Sequence, residues 1–156
     1  MNLSISKKNA RIAYKNADSC GKELLEHLLG REVFSEKITD RIKTFENALE
    51  ETGKPNVPEF KDVPEDLREY FQYQYKAIVI AEALNEGWEA DYKDSSQRKW
   101  YPWFYISPSG FAFHDSGYVF TYPSAGRAAR LCLKSEELAD YAGKQFKDIY
   151  EGIILK

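Results

Sequence analysis

Apolar residues recur every three to four positions through the first half of the chain, which is the spacing of amphipathic helices. Capping residues and glycines mark the ends of these helices, and three prolines in the 54–64 segment predict a linker. The longest helix carries apolar side chains over more than half of its circumference, so we expect it to lie at the centre of the core. The predicted helices are 6–17, 18–30, 38–53 and 64–87.

After residue 98 the period of the apolar residues shortens to two, as in β-strands. Clusters of glycine, proline and serine predict turns at 107–110, 115–117 and 123–126. Ser135 is then a predicted cap for a final helix over about 135–150. The predicted strands are 99–106, 111–114 and 118–122, and the run at 128–134 could form a fourth.

The order of these elements predicts the fold class. Helices, then a three- to four-stranded antiparallel meander, then a C-terminal helix are typical of an α+β fold. A length of 156 residues favours a single domain over 1–156, with a helical part at about 6–87 and a sheet at about 99–133.

The first predicted strand holds five aromatic rings between residues 99 and 107. Side chains alternate along a strand, so Trp100, Phe104 and Ile106 share one face and the remaining rings share the other. We expect most of these rings to be core, in a sheet with helices on both sides or with one face half covered by the polar segment 89–98. The alternative is an open aromatic platform for nucleobases or a partner's side chains. Its rings are Tyr101, Trp103 and Tyr105.

Charge bears on that alternative. The net charge of −3 argues against a basic surface over the whole protein. Residues 97–134, however, hold five basic residues against one acidic residue, a net +4. Gly110-Phe111-Ala112-Phe113 also matches the centre of an RNA-recognition-motif signature, although the order of elements does not fit that fold. The candidate basic contacts beside the rings are Arg98, Lys99 and Arg130.

Catalytic and metal-binding motifs are missing from the sequence. It contains no P-loop, GxGxxG, HExxH or GxSxG, and Cys20 and Cys132 form no CxxC pair, so buried free thiols are expected. His114 precedes Asp115, but neighbours in a strand point to opposite faces and cannot easily orient one another. We therefore predict no catalytic residue, no metal and no cofactor.

No apolar run reaches the length of a membrane span, and the N-terminus has no apolar signal core. We expect a cytoplasmic protein with no membrane partner.

Four long strings carry a resemblance to a known family. In order they are DSCGKELLEHLLGREVF at 18–34, DRIKTFENALEETG at 40–53, AEALNEGWEADYKDSSQRKWYPWFYIS at 81–107 and RLCLKSEELADYAGKQFKDIY at 130–150. On these strings the chain resembles a family of small uncharacterised proteins of phages, prophages and mobile elements of gut anaerobic bacteria. The chain departs from that family at SAGRAARLCLKS, residues 124–135. The resemblance therefore implies no role for Arg127. The resemblance implies a phage-linked setting in a bacterial host cell, with virion association as one form of it.

Three functional hypotheses follow from the residues and the resemblance. The first is a non-enzymatic binding module that acts through contact with an unknown protein partner. The second is single-stranded nucleic-acid binding through the aromatic, locally basic sheet. The third is a small enzyme whose site is assembled from scattered residues.

Overall fold

The computed structural model describes residues 5–125 and 129–156, and its architecture is α+β, as predicted. The first five helices precede an antiparallel β-hairpin, and the last two follow it. The helices are α1 (Lys7–Asn16), α2 (Ser19–Leu29), α3 (Ile38–Arg41), α4 (Phe45–Thr52), α5 (Glu65–Asn85), α6 (Glu136–Gln145) and α7 (Lys147–Leu155). The strands are β1 (Lys99–Ser107) and β2 (Gly110–Val119).

The predicted ends of the second helix are confirmed by its caps. The Asp18 carboxylate accepts a hydrogen bond from the Gly21 N–H at 2.8 Å and so begins α2. Gly30 ends it with a φ of 86°, a value that favours glycine. The amide N–H of Gly30 donates to the Glu26 carbonyl at 2.9 Å, which closes the last turn.

The prediction of one helix over 38–53 is wrong, because the chain leaves the helical conformation between α3 and α4. Thr44 forms a capping box with Asn47, in which each side chain accepts from the other residue's main-chain N–H. This pair begins a new helix in the middle of a continuous apolar stripe. Gly53 then ends α4 in the left-handed conformation, as expected.

Helix α5 is central, as predicted. Its C-terminal half is buried, and the apolar cluster around it runs from Ile38 through to Tyr150, so the helices and the hairpin share that cluster. Buried Asn85, near the end of α5, donates to the Cys132 carbonyl at 2.8 Å and accepts from the Lys134 N–H at 2.9 Å. These bonds hold residues 132–134 beside β1, where Leu133 pairs with Trp100. The position of the hairpin therefore depends on the end of α5.

The three- to four-stranded meander is not what the chain forms within the described residues, where the sheet has two strands. The prediction of two strands at 111–114 and 118–122 is wrong, because one continuous strand, β2, runs from Gly110 to Val119. The expected turn at 115–117 does not form, because these residues pair with β1. They follow a β-bulge in which His114 has no partner in β1. Of the possible fourth strand, residue 128 lies outside the described residues, 129–131 form a 3-10 turn, and Leu133 alone makes a bridge.

The final helix begins at the predicted cap, where Ser135 Oγ accepts from the Leu138 N–H at 3.3 Å. The predicted single helix over 135–150 is wrong, because α6 ends at Phe146, whose φ of −114° departs from helical geometry. Phe146 is buried in the core, and α7 begins directly after it and ends at Leu155. Both helices pack against the same face of the hairpin.

Candidate binding surface

The two faces of the hairpin differ in what covers them. We call the face of Trp100 and Phe104 the inner face, since these side chains belong to or pack against the core cluster. The Phe104 ring is stacked on Phe111 with centroids 4.7 Å apart and lies 5.1 Å from Tyr150 of α7. Gly143 of α6 makes this packing close, because a Cβ added there would lie 2.3 Å from the Phe113 ring.

The opposite face, which we call the outer face, carries Tyr101, Trp103 and Tyr105. Trp103 is 44 % exposed and Tyr105 is 60 % exposed, while Tyr101 is half-buried. The expectation that most rings of this strand are core is therefore wrong for Trp103 and Tyr105 and right for Trp100 and Phe104. The predicted alternation of faces is confirmed.

The bulge at His114 decides what lies beside the outer rings. The extra residue shifts the side-chain alternation, so Phe111 and Phe113 face inward while Asp115 lies directly opposite Trp103. Gly117, opposite Tyr101, leaves room for the indole, since a Cβ added there would lie 2.5 Å from Trp103 Nε1. The Tyr101 and Trp103 rings meet edge to face at 5.7 Å. Of the three residues directly opposite the outer rings, Asp115 is the charged one, so the charge beside Trp103 is negative.

Lys99 is not a surface contact, contrary to prediction. Its side chain is fully buried, and its ammonium donates to the carbonyl oxygens of Asp94 and Gln97, both at 2.9 Å. The same ammonium lies 5.3 Å from the centre of the Tyr92 ring. The polar segment 89–98 therefore covers the Lys99 end of the outer face, and the cation holds that segment in place.

Arg98 lies on the other side of the hairpin from Trp103. Its guanidinium stacks over Tyr118 at 4.8 Å, and Tyr118 contacts Trp100 at 4.7 Å and Phe120 at 5.3 Å. Tyr118 is 41 % exposed and Phe120 is 36 % exposed. The interpretation of the sequence missed this cluster of Arg98, Tyr118 and Phe120. The signal was present in the shared alternation of Tyr118 and Phe120.

Arg130, the last predicted contact, is exposed in the 3-10 turn at 129–131 and lines a cleft with Trp88. The six predicted residues therefore do not form one surface. Tyr101, Trp103 and Tyr105 share the outer face, whereas Arg98, Lys99 and Arg130 are in three other environments.

The cysteines and His114 do not come together. Cys132 is buried as expected, but Cys20 is exposed, which corrects the prediction for that thiol. Cys132 Sγ lies 3.4 Å from the Tyr92 hydroxyl. Burial is the larger cause that raises the pKa of Tyr92, and the contact with Cys132 raises this pKa further. His114 is exposed at the bulge. Among residues 5–125 and 129–156, no group of three or more histidine, cysteine, aspartate or glutamate side chains is placed to hold a metal ion.

Within the part of the chain that the structure describes, none of the helices combines the length and apolar character needed to cross a bilayer. Comparisons with protein-family models, with curated proteins and with solved structures find no match.

Proposed function

We propose that the chain is a non-enzymatic binding module that contacts a partner protein through the outer face of its hairpin, in the phage or mobile-element setting that the resemblance implies. The observation that carries this proposal is the exposure of Trp103 and Tyr105, at 44 % and 60 %, on the face that the helices leave open. Aromatic side chains offer a partner a large apolar area at a small cost in conformational entropy, and they are enriched at protein interfaces. Action in the host cytoplasm, or on the virion, belongs to the same proposal.

Among the described residues, the charges around the rings favour a protein partner over nucleic acid at this face. Nucleic-acid binders place cations beside their stacking rings to contact phosphates. Here Lys99 is buried, Arg98 lies on the other side, and Asp115 is opposite Trp103. From Trp100 to Phe113 the chain carries no ionisable charge, which suits the uncharged centre of a protein interface.

A double substitution tests the proposal. We expect Trp103→Ala/Tyr105→Ala to fold and to lose a protein that the wild type retains from a lysate of the bacterium carrying the gene. Tyr122→Ala is the matched control, because Tyr122 is 86 % exposed and lies beyond β2. The retained proteins are identified by mass spectrometry, and thermal melting verifies that each variant is folded. If the wild type, the double variant and Tyr122→Ala retained the partner equally, the outer face would be ruled out as the contact.

The second candidate function, single-stranded nucleic-acid binding, is favoured by one observation at a different place. Arg98 stacked on Tyr118, with Phe120 beside it, combines a cation with two exposed rings. If this cluster binds single strands, we expect a labelled oligonucleotide to bind at low salt, more weakly with added salt, and at least tenfold more weakly to Arg98→Ala/Tyr118→Ala. Fluorescence anisotropy measures this. Unchanged binding by that variant, or none by the wild type at low salt, would eliminate this candidate.

A further inference from the structure

The outer edge of β1 can be oriented from one pair of hydrogen bonds. The Trp100 N–H donates to the Leu133 carbonyl at 2.9 Å, and the Leu133 N–H donates to the Trp100 carbonyl at 2.8 Å. The main-chain groups of Trp100 therefore point away from β2. Since these groups alternate in direction along a strand, those of Pro102, Phe104 and Ile106 point the same way. Pro102 is consistent with this, because proline has no N–H and occurs on strand edges.

Among the described residues, no strand pairs with the second half of this edge, and that half carries no charged side chain. In the described part of the chain, the sheet has two strands, and the bridge at Trp100 is the one pairing on the far side of β1. Ile106 is 56 % exposed. Proteins usually protect such edges with lysines, bulges or prolines, and from residue 103 to 107 β1 has none of these. The edge of β2 differs, because it has the His114 bulge and Lys147 Nζ lies 3.5 Å from the Phe111 carbonyl.

We propose that two copies of the chain associate through the β1 edges, antiparallel about a two-fold axis at Phe104. In that register Phe104 faces Phe104 of the second copy and exchanges both main-chain hydrogen bonds with it. The Ile106 N–H then meets the Pro102 carbonyl of the second copy, and the converse pair forms on the other side of the axis. The donors and acceptors are thus self-complementary: Pro102 supplies an acceptor without a donor, and Ile106 supplies the donor that this acceptor needs.

Electrostatics and the outer rings agree with a second copy as the occupant. Between Lys99 and His114 neither strand has a side chain that is charged at neutral pH, so the pairing brings no like charges together at its centre. Trp103 lies opposite Tyr105 of the second copy on the outer face, where cross-strand rings stabilise each other. The two outer faces then form one continuous aromatic surface. This association goes beyond the proposed function, because it depends on the strand edge and not on a partner of the rings.

The experiment is sedimentation velocity over a concentration series, from about 5 to 500 µM, since a small edge interface predicts a weak dimer. We expect the wild type to dimerise reversibly and Ile106→Lys to weaken dimerisation by about tenfold or more, because a lysine on an edge strand disfavours pairing with another strand. Ala112→Lys is the control: it adds the same charge to an exposed position of β2, one strand away from the edge.

A wild type that stays monomeric throughout the series would overturn the proposal. Equal dimerisation of the two lysine variants would overturn it too, because the contact would then lie elsewhere. If the wild type is monomeric and its edge becomes protected from hydrogen exchange by another protein, the occupant is a foreign strand. None of these results decides the proposed function, since the Trp103→Ala/Tyr105→Ala test can succeed with a monomer.

Discussion

Trp100→Ala is expected to lower the free energy of unfolding by about 3–5 kcal/mol, whereas Trp103→Ala, three residues along the same strand, is expected to lower it by about 2 kcal/mol or less. Trp100 is 9 % exposed, belongs to the core cluster and contacts Tyr118. Removing its indole leaves a cavity next to the bridge with Leu133. Trp103 is 44 % exposed, so its removal takes away less buried area than the removal of Trp100 does.

Urea denaturation of wild type and both variants, followed by far-UV circular dichroism, measures the two changes. Trp103→Phe serves as a control that retains an aromatic ring at the outer face. If Trp103→Ala cost as much as Trp100→Ala, the outer face would be part of the core. The proposed binding role of Trp103 would then lose its main support.

The helix boundaries were predictable where a local signal marks the start or the end of a helix. Asp18, Gly30, Gly53 and Ser135 act where their side chain or conformational freedom indicates. The two helix breaks were not predictable from periodicity, because apolar residues continue through them at the helical spacing. At Thr44 a capping box begins a new helix inside the stripe, and at Phe146 the buried ring lies at the junction of α6 and α7.

The sheet was predictable in its first strand and not in its second. Asp115-Ser116-Gly117 has the composition of a turn, yet in this chain it continues β2. A bulge at His114 changes the alternation by one residue, and periodicity cannot distinguish such a bulge from the start of a new strand. Tertiary contacts choose between them here, since α6 packs against both strands.

The candidate site shows the same division. Alternation along β1 correctly separated Tyr101, Trp103 and Tyr105 from the inner rings, but it could not show which face the helices cover. The net charge of residues 97–134 was counted along the sequence, and such a count does not show on which face of the sheet each charged side chain lies. Arg98 and Lys99 are adjacent in the chain, yet one stacks on Tyr118 and the other is enclosed by the 89–98 segment.

Lys99→Met is the second substitution with a large expected effect, a loss of about 2–4 kcal/mol in the free energy of unfolding. Methionine has a similar length and can fill the space, but it cannot donate to the carbonyls of Asp94 and Gln97, which Lys99 contacts at 2.9 Å each. Hydrogen bonds from a charged donor are worth more than neutral ones, and the two acceptors lose that partner when the donor is removed.

Lys93→Met is the matched control for Lys99→Met, because Lys93 is exposed in the same segment. Urea denaturation gives the stability change of each variant, and hydrogen exchange over residues 89–98 shows whether the segment loosens. We expect faster exchange in Lys99→Met and no change in Lys93→Met. If both variants matched the wild type, the buried ammonium would not hold the segment. Loosening confined to Lys99→Met would mean that this cation fixes how far the segment covers the outer face, and therefore which rings remain open to a partner.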